Sequence, residues 1–201
     1  MQGRTHAAVG MAAAFAVMPP KTSTELLVGM AAATIGALFA DSDSPHSLIQ
    51  KNIRLAIGGG AGLFLIASIL SESFGLEIEL TTSIARTLLG CICLVGFGVL
   101  GSTQPHRGMM HSVFALIVSS FFCLLVTPQA VPYFVTGYAS HLALDILNYQ
   151  GISLLWPLPA KVSIGLCKSD GTVNDILLLA GLLVLAIELN ASPFRVNLIT
   201  V

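Results

Sequence analysis

The sequence predicts an all-α fold, a polytopic membrane helical bundle of about seven apolar segments with polar motifs gathered at one membrane face. Hydrophobic residues make up 55% of the 201 residues and charged residues only 9%, which is more apolar surface than a soluble globule buries. The mean hydropathy is +0.87. The apolar stretches approach the roughly 17–25 residues that cross about 30 Å of hydrocarbon. We expect one integral membrane domain, residues 1–201, without a linker.

The expected apolar segments cover residues 7–18, 25–40, 54–71, 84–101, 109–126, 131–147 and 173–190. The first is also compatible with a secretory signal peptide, with Ala14-Phe15-Ala16 as a small-residue cleavage site. A retained helix is favoured, because the second segment follows directly after Pro19 and Pro20, as in a tight helical hairpin. The glycines at 58–60 and 62 in the third segment suit close packing of membrane helices.

Alternating crossings would bring the polar motifs to the side of the membrane that holds residue 1. That side would carry six of the nine Lys and Arg residues: Arg4, Lys51, Arg54, Arg107, Lys161 and Lys168. The other side would carry Lys21, Arg86 and Arg195. The positive-inside rule therefore predicts that the motifs lie on the cytoplasmic side.

His141 and Asp145 lie four residues apart on a predicted helix, so their side chains share one face and can hold a divalent ion. A His and an Asp that only hydrogen-bond each other within a bundle are the alternative. Burying an ionised carboxylate near hydrocarbon is costly, and a metal ion would account for both residues together.

His106 and His111 are five residues apart, about 140° around an ideal helix, so both can face one point only if part of this stretch is a loop. Gly108 makes such a loop feasible. Arg107 carries a forked set of donors that suits a phosphate or a carboxylate. An interfacial arginine that snorkels is the alternative for Arg107.

Asp41 and Asp43 lie where the second segment ends, just before the helix-start signal Ser44-Pro45. Two such carboxylates bind one ion, bridge two ions, or simply solvate a helix end. Considered together, the candidate ligands are four histidines and three aspartates: His6, Asp41, Asp43, His106, His111, His141 and Asp145. His46 is a weaker candidate.

The ligand set predicts the kind of centre. Seven ligands exceed the needs of one tetrahedral zinc, and imidazole with carboxylate suits zinc, with manganese as the alternative. We therefore expect two or more divalent ions, an arrangement used for phosphoester hydrolysis.

Four blocks resemble the LexA-regulated, membrane-bound metal-dependent hydrolase family of bacterial inner-membrane proteins. They comprise Thr5-His6, residues 41–47, residues 106–112, and residues 137–145 followed by Leu154-Leu155-Trp156-Pro157. The resemblance implies an inner-membrane location and a hydrolase distantly similar to the phospholipase C and P1 nuclease group. This chain has Met110 and Asn148-Tyr149 where the family often has Thr and Thr-Pro. Asn174 and Asp175 stand where members often place an acid.

The expected function is hydrolysis of a phosphoester, that of a lipid-linked phosphate, with the seven residues above as metal ligands and Arg107 holding the phosphate. A divalent-ion transporter is one alternative, although such a protein places ionisable groups near the midplane. A non-catalytic membrane protein with a structural metal is another. The expected partner is the lipid bilayer. Nucleic acid is not expected, because the net charge is −1 and there is no basic run.

Overall fold

The computed structural model describes residues 1–44 and 82–191. These ranges contain the α-helices α1 (Gly3–Val17), α2 (Ser23–Phe39), α3 (Thr82–Ser102), α4 (Val113–Val126), α5 (Val131–Ile146) and α6 (Thr172–Ala191). Short 3-10 turns cover Ala40–Asp43, Met109–His111 and Pro128–Ala130. The described ranges have no strand, only the isolated bridges Asn148–Cys167 and Ile152–Val162. The all-α prediction is confirmed for this part of the chain.

Each predicted apolar segment in the described ranges corresponds to a helix. The third segment, with its glycines and the nearby His46, lies outside the described residues. The fifth segment begins with the 3-10 turn Met109–His111 and becomes α-helical only at Val113. The reason is local, since the Ser112 hydroxyl accepts the Ala115 N–H at 3.2 Å and caps the helix there.

Within residues 1–44 and 82–191, three stretches are long and apolar enough to cross a membrane by length and composition: Ser23–Asp43, Thr82–Ser102 and Thr172–Ala191. Val113–Val126 is apolar but shorter. Helices α3 and α6 keep large apolar side chains exposed, for example Ile92 and Leu179, as expected of surfaces that face lipid. That all seven segments cross the membrane stays a prediction.

Close contact between α2 and α5 is possible because each helix has a glycine at their crossing. A Cβ atom on Gly36 would lie 2.2 Å from the Phe134 carbonyl oxygen, and one on Gly137 would lie 2.2 Å from the Ala33 carbonyl oxygen. Small residues let membrane helices approach in this way. The crossing brings the end of α2 next to His141 on α5, and this contact helps to assemble the polar cluster described below.

Candidate metal centre

The structure brings all seven predicted ligands together near the ends of four helices. His6 lies near the start of α1, and Asp41 and Asp43 lie in the turn after α2. One group contains Asp41, Asp43, His106 and His111, and a second contains His6, His141 and Asp145. Within each group, one ligand atom from every residue lies within 4.8 Å of the others, so each group could hold a metal ion.

Four ligand atoms drawn from both groups converge on one point. The Nε2 atoms of His111 and His141 are 3.2 Å apart. Asp145 Oδ2 lies 3.4 Å from the first and 3.8 Å from the second, and Asp41 Oδ1 lies 3.8 Å from both. A tetrahedral site with bonds of about 2.0–2.2 Å has edges of about 3.3–3.6 Å. The five distances, from 3.2 to 3.8 Å, are close to these edges, so the four atoms could hold one divalent ion.

The tautomers of the two central histidines also fit an ion. We assign a proton to His141 Nδ1, which donates to the Ala37 carbonyl oxygen at 2.6 Å. We likewise assign one to His111 Nδ1, which donates to Asp43 Oδ2 at 3.1 Å. Each Nε2 then faces the convergence point and offers a lone pair to an ion when it carries no proton. Metal-binding histidines are usually oriented by such an acceptor on the other ring nitrogen.

Asp43 lies on the far side of the His111 ring from the convergence point. Its Oδ1 accepts from His106 Nδ1 at 2.7 Å, and its Oδ2 accepts the Arg107 backbone N–H at 3.0 Å as well as His111 Nδ1. The His106 side chain is 43% exposed. Asp43 thus accepts hydrogen bonds from His106, His111 and the Arg107 backbone. Asp41 Oδ1, in contrast, lies at the convergence point, near Nε2 of both His111 and His141.

His6 contributes a buried imidazole beside the centre. Its ring stacks on His141 with centroids 3.7 Å apart. Neither ring nitrogen has a hydrogen-bond partner among the described residues, although Nε2 lies 3.4 Å from Asp145 Oδ1. A buried imidazole without a partner is costly, and a cation would satisfy it. Asp145 directs Oδ2 to the convergence point, whereas its Oδ1 accepts hydrogen bonds from the Met1 ammonium at 2.6 Å and from Asn148 Nδ2 at 2.9 Å.

The charge balance of the centre shifts the pKa of His111. Burial lowers this pKa, but the hydrogen bonds and the charges of Asp145 and Asp43 more than offset that effect and raise it from 6.5 to about 9. In the metal-free protein the ring is therefore cationic at neutral pH. A bound cation would replace that proton.

Arg107 is a buried cation with unused donors. It is 6% exposed, and its Nη2 donates to Ser169 Oγ at 3.2 Å and lies 3.8 Å from Asp145 Oδ2. Nε and Nη1 have no hydrogen-bond partner among the described residues. Its backbone has a φ of 62°, a strained conformation outside glycine. The Arg107 carbonyl oxygen accepts the Ser153 N–H at 3.1 Å, which helps to hold this conformation.

Three residues around the centre were missed by the sequence prediction. Asn148 Nδ2 donates to Asp145 Oδ1 at 2.9 Å, and its position three residues after Asp145 on the helical repeat was a usable signal. No sequence pattern pointed to Ser169, which accepts a hydrogen bond from Arg107. None pointed to the carbonyl oxygen of Ala37 either, because a backbone acceptor is not encoded by residue type.

The sequence profile of a bacterial inner-membrane family matches residues 1–200. The chain belongs to the YdjM inner membrane protein family. Membership confirms the bacterial inner-membrane part of the expected resemblance. It leaves hydrolase activity and the likeness to P1 nuclease as predictions.

One curated relative of this YdjM family chain is Uncharacterized protein YvsG of Bacillus subtilis (strain 168). It is 33% identical over 86 residues, which are 42% of this chain and 54% of the relative. The matched region thus spans about half the length of that relative. No solved structure matches the chain.

Proposed function

We propose that this YdjM family protein is a membrane-bound, metal-dependent hydrolase of a phosphoester, with zinc as the expected ion and manganese as the alternative. The observation that carries the proposal is the convergence of two imidazole nitrogens and two carboxylate oxygens, with the five distances between them at 3.2–3.8 Å. The His6 imidazole, whose nitrogens have no hydrogen-bond partner among the described residues, offers a ligand for a second ion.

The position of each residue at the centre indicates its role in the proposed reaction. A bound divalent ion acts as a Lewis acid toward a phosphoryl oxygen and acidifies water. His111, His141, Asp41 and Asp145 hold the ion, and Asp43 orients His111. Arg107 presents Nε and Nη1 to an anion, and a guanidinium suits the oxygens of a phosphate.

A lipid-linked phosphate is the substrate class we favour. The chain resides in the inner membrane, and the candidate ligands lie at helix ends, where a headgroup attached to its lipid can be reached. The excess of Lys and Arg predicted on that side favours a cytoplasmic site.

A structural metal is the second candidate, and one observation favours it. His6, His111 and His141 are fully buried and Asp145 is 2% exposed, as in closed structural sites. Chelation distinguishes the two functions. A hydrolase stays folded when the ion is removed and regains activity when it is restored, whereas loss of a structural metal unfolds the protein.

The test is a hydrolysis screen on detergent-purified protein, stripped of metal and then supplied with Zn²⁺ or Mn²⁺. Lipid phosphomonoesters and phosphodiesters are the substrates. We expect metal-dependent phosphate release that is lost in His111→Ala and kept in Asp175→Asn, which changes an exposed carboxylate. Divalent-ion flux into proteoliposomes without any hydrolysis would instead support the transporter alternative.

A further inference from the structure

The connection between α5 and α6, residues 147–171, presents an unusual apolar surface beside the candidate centre. It contains turns and isolated bridges but no helix. Side chains in loops that face water are usually polar. Here five large apolar side chains are more than half exposed: Tyr149, Leu155, Leu158, Ile164 and Leu166.

The exposure of these side chains does not come from a loosely held segment. Ile152 and Val162 exchange two backbone hydrogen bonds of 3.0 and 2.9 Å. The Ser153 N–H donates to the Arg107 carbonyl oxygen, which ties the connection to the loop of the candidate centre. The connection is therefore an ordered part of the fold, and its apolar side chains are held outward.

This surface is continuous with a helix face that suits lipid. The Trp156 ring lies 5.0 Å from the Phe114 ring in the first turn of α4. Phe114, Ile117 and Phe121 are themselves exposed along α4. Exposed Lys161 lies in the same connection. Aromatic and basic residues mixed with apolar ones are typical of the headgroup layer of a bilayer.

A cavity of about 510 Å³ lies in the connection and is lined in part by Asn148, Tyr149, Lys168 and Ser169, with Asp170 also in its wall. Two of these residues contact the candidate centre directly. Ser169 Oγ accepts from Arg107 Nη2 at 3.2 Å, and Asn148 donates to Asp145. Lys168 gives the wall of the cavity a cation and Asp170 an anion, and the Arg107 guanidinium lies behind Ser169, outside the lining.

We propose that residues 147–171 lie in the headgroup layer of the bilayer, and that this cavity binds the anionic phosphate headgroup of a membrane lipid next to the metal centre. The acyl chains remain among the exposed apolar side chains of the connection and of α4. The membrane location does not depend on the proposed function. The headgroup binding rests on it, because this cavity, which we call the port, would be the substrate-binding site of the proposed hydrolase.

The location is tested with Trp156, because the chain has a single tryptophan. The protein is placed in phosphatidylcholine vesicles whose lipids carry bromine either near the headgroup or near the chain end. We expect the shallow bromines to quench Trp156 fluorescence most strongly and aqueous iodide to quench it weakly. Strong quenching by iodide with none by brominated lipid would overturn the location.

Binding is tested without turnover, on metal-free protein in phosphatidylcholine vesicles with and without spin-labelled phosphatidic acid. We expect Lys168→Glu to weaken phosphatidic acid binding by about fivefold or more, since one basic residue near a lipid surface contributes on the order of this factor. Lys161→Glu, which makes the same charge change in the same connection outside the cavity lining, is the control.

Three results would contradict headgroup binding in this cavity. They are equal losses in the two lysine variants, no phosphatidic acid binding in the wild type, and displacement of the lipid by an equal concentration of inorganic phosphate. Because no hydrolysis is measured, failure of the port is distinguishable from failure of the hydrolase proposal.

Discussion

Asp43 shows how contacts separate residues that a sequence motif treats alike. Sequence analysis assigned Asp41 and Asp43 the same role, whereas in the structure only Asp41 reaches the convergence point and Asp43 accepts the Nδ1 protons of two histidines. We predict that Asp43→Asn lowers metal affinity by about 10–100-fold, since loss of an orienting partner has this effect. Competition with a chelator measures the change. Complete loss of the ion at saturating metal, as expected for His141→Ala, would make Asp43 a ligand.

The raised pKa of His111 predicts the pH dependence of metal binding. In the metal-free protein the proton on His111 stabilises the fold fully below pH 6.5, and this contribution is lost as the pH rises through about 9. An ion must displace the same proton. Apparent zinc affinity should therefore rise with pH up to about 9, by roughly tenfold per unit while one proton is released. Zinc titrations across this range provide the test, and a flat profile would contradict the assignment.

At this scale the sequence predicts which residue types gather but not how each is used. The spacing of His141 and Asp145 was enough to predict a shared helix face. The roles of Asp43 and His106 depend on which ring nitrogen faces which oxygen, and that is decided by a turn whose geometry follows from Gly108 and from the positive φ of Arg107. The pairing of Arg107 with Ser169 joins residues 62 apart in the chain, beyond the reach of a local pattern.

At the scale of helices, the α2–α5 crossing positions the centre. Gly137→Ala should destabilise the protein by about 1–3 kcal/mol, because the new methyl group meets the Ala33 carbonyl oxygen in a tightly packed crossing. It should also weaken metal binding, since His141 and Asp41 move apart. Gly96→Ala is the matched control, as its Cβ would meet nothing within 4 Å. Thermal unfolding in detergent compares the two. Equal melting temperatures would contradict the close crossing.

Asn174 on α6 holds the start of α1. Its Oδ1 accepts the Gln2 N–H at 3.1 Å and the Thr5 hydroxyl at 2.8 Å, and its side chain is fully buried. We predict that Asn174→Ala costs about 1–3 kcal/mol of folding free energy, because both donors lose their acceptor. Asp175→Asn, at an exposed neighbour, should change stability little. Urea unfolding followed by circular dichroism measures both, and equal effects would assign Asn174 no special role.

The positions of the helices followed well from composition. The apolar segments predicted every α-helix in the described part of the chain. The reason is that a segment in lipid must hydrogen-bond its own backbone N–H and C=O groups, which a helix does. The predicted fifth segment started too early, at residue 109, since Met109 and Met110 are apolar but belong to the 3-10 turn that carries His111. Hydropathy does not distinguish such a turn from a helix. Ser112, as a helix-capping residue, marks where the helix begins.

At the scale of the whole molecule, the apolar bundle assembles helix ends that are remote in sequence. His6, Asp41, His111 and the pair His141 and Asp145 come from four separate motifs. They meet where α1, α2 and α5 pack together and the turn before α4 joins them. The ligand types were predictable from sequence, whereas the division of the seven residues into two groups needed the packed geometry.

Metal removal tests how the whole fold uses the ion. We predict that a chelator lowers the melting temperature of the wild type but leaves it folded near room temperature, because the three fully buried histidines lie within a hydrophobic core of helices that remains. Far-ultraviolet circular dichroism before and after chelation follows this directly. Unfolding on chelation would instead favour the structural-metal function.

The metal centre is tested by the metal content of the purified protein. Elemental mass spectrometry compares the wild type with the double variant His111→Ala and His141→Ala. We expect at least one zinc or manganese ion per wild-type chain, and loss of that ion in the variant while its circular dichroism spectrum stays helical. Wild-type protein that takes up no divalent ion, or a folded variant that keeps the same amount, would contradict the metal centre.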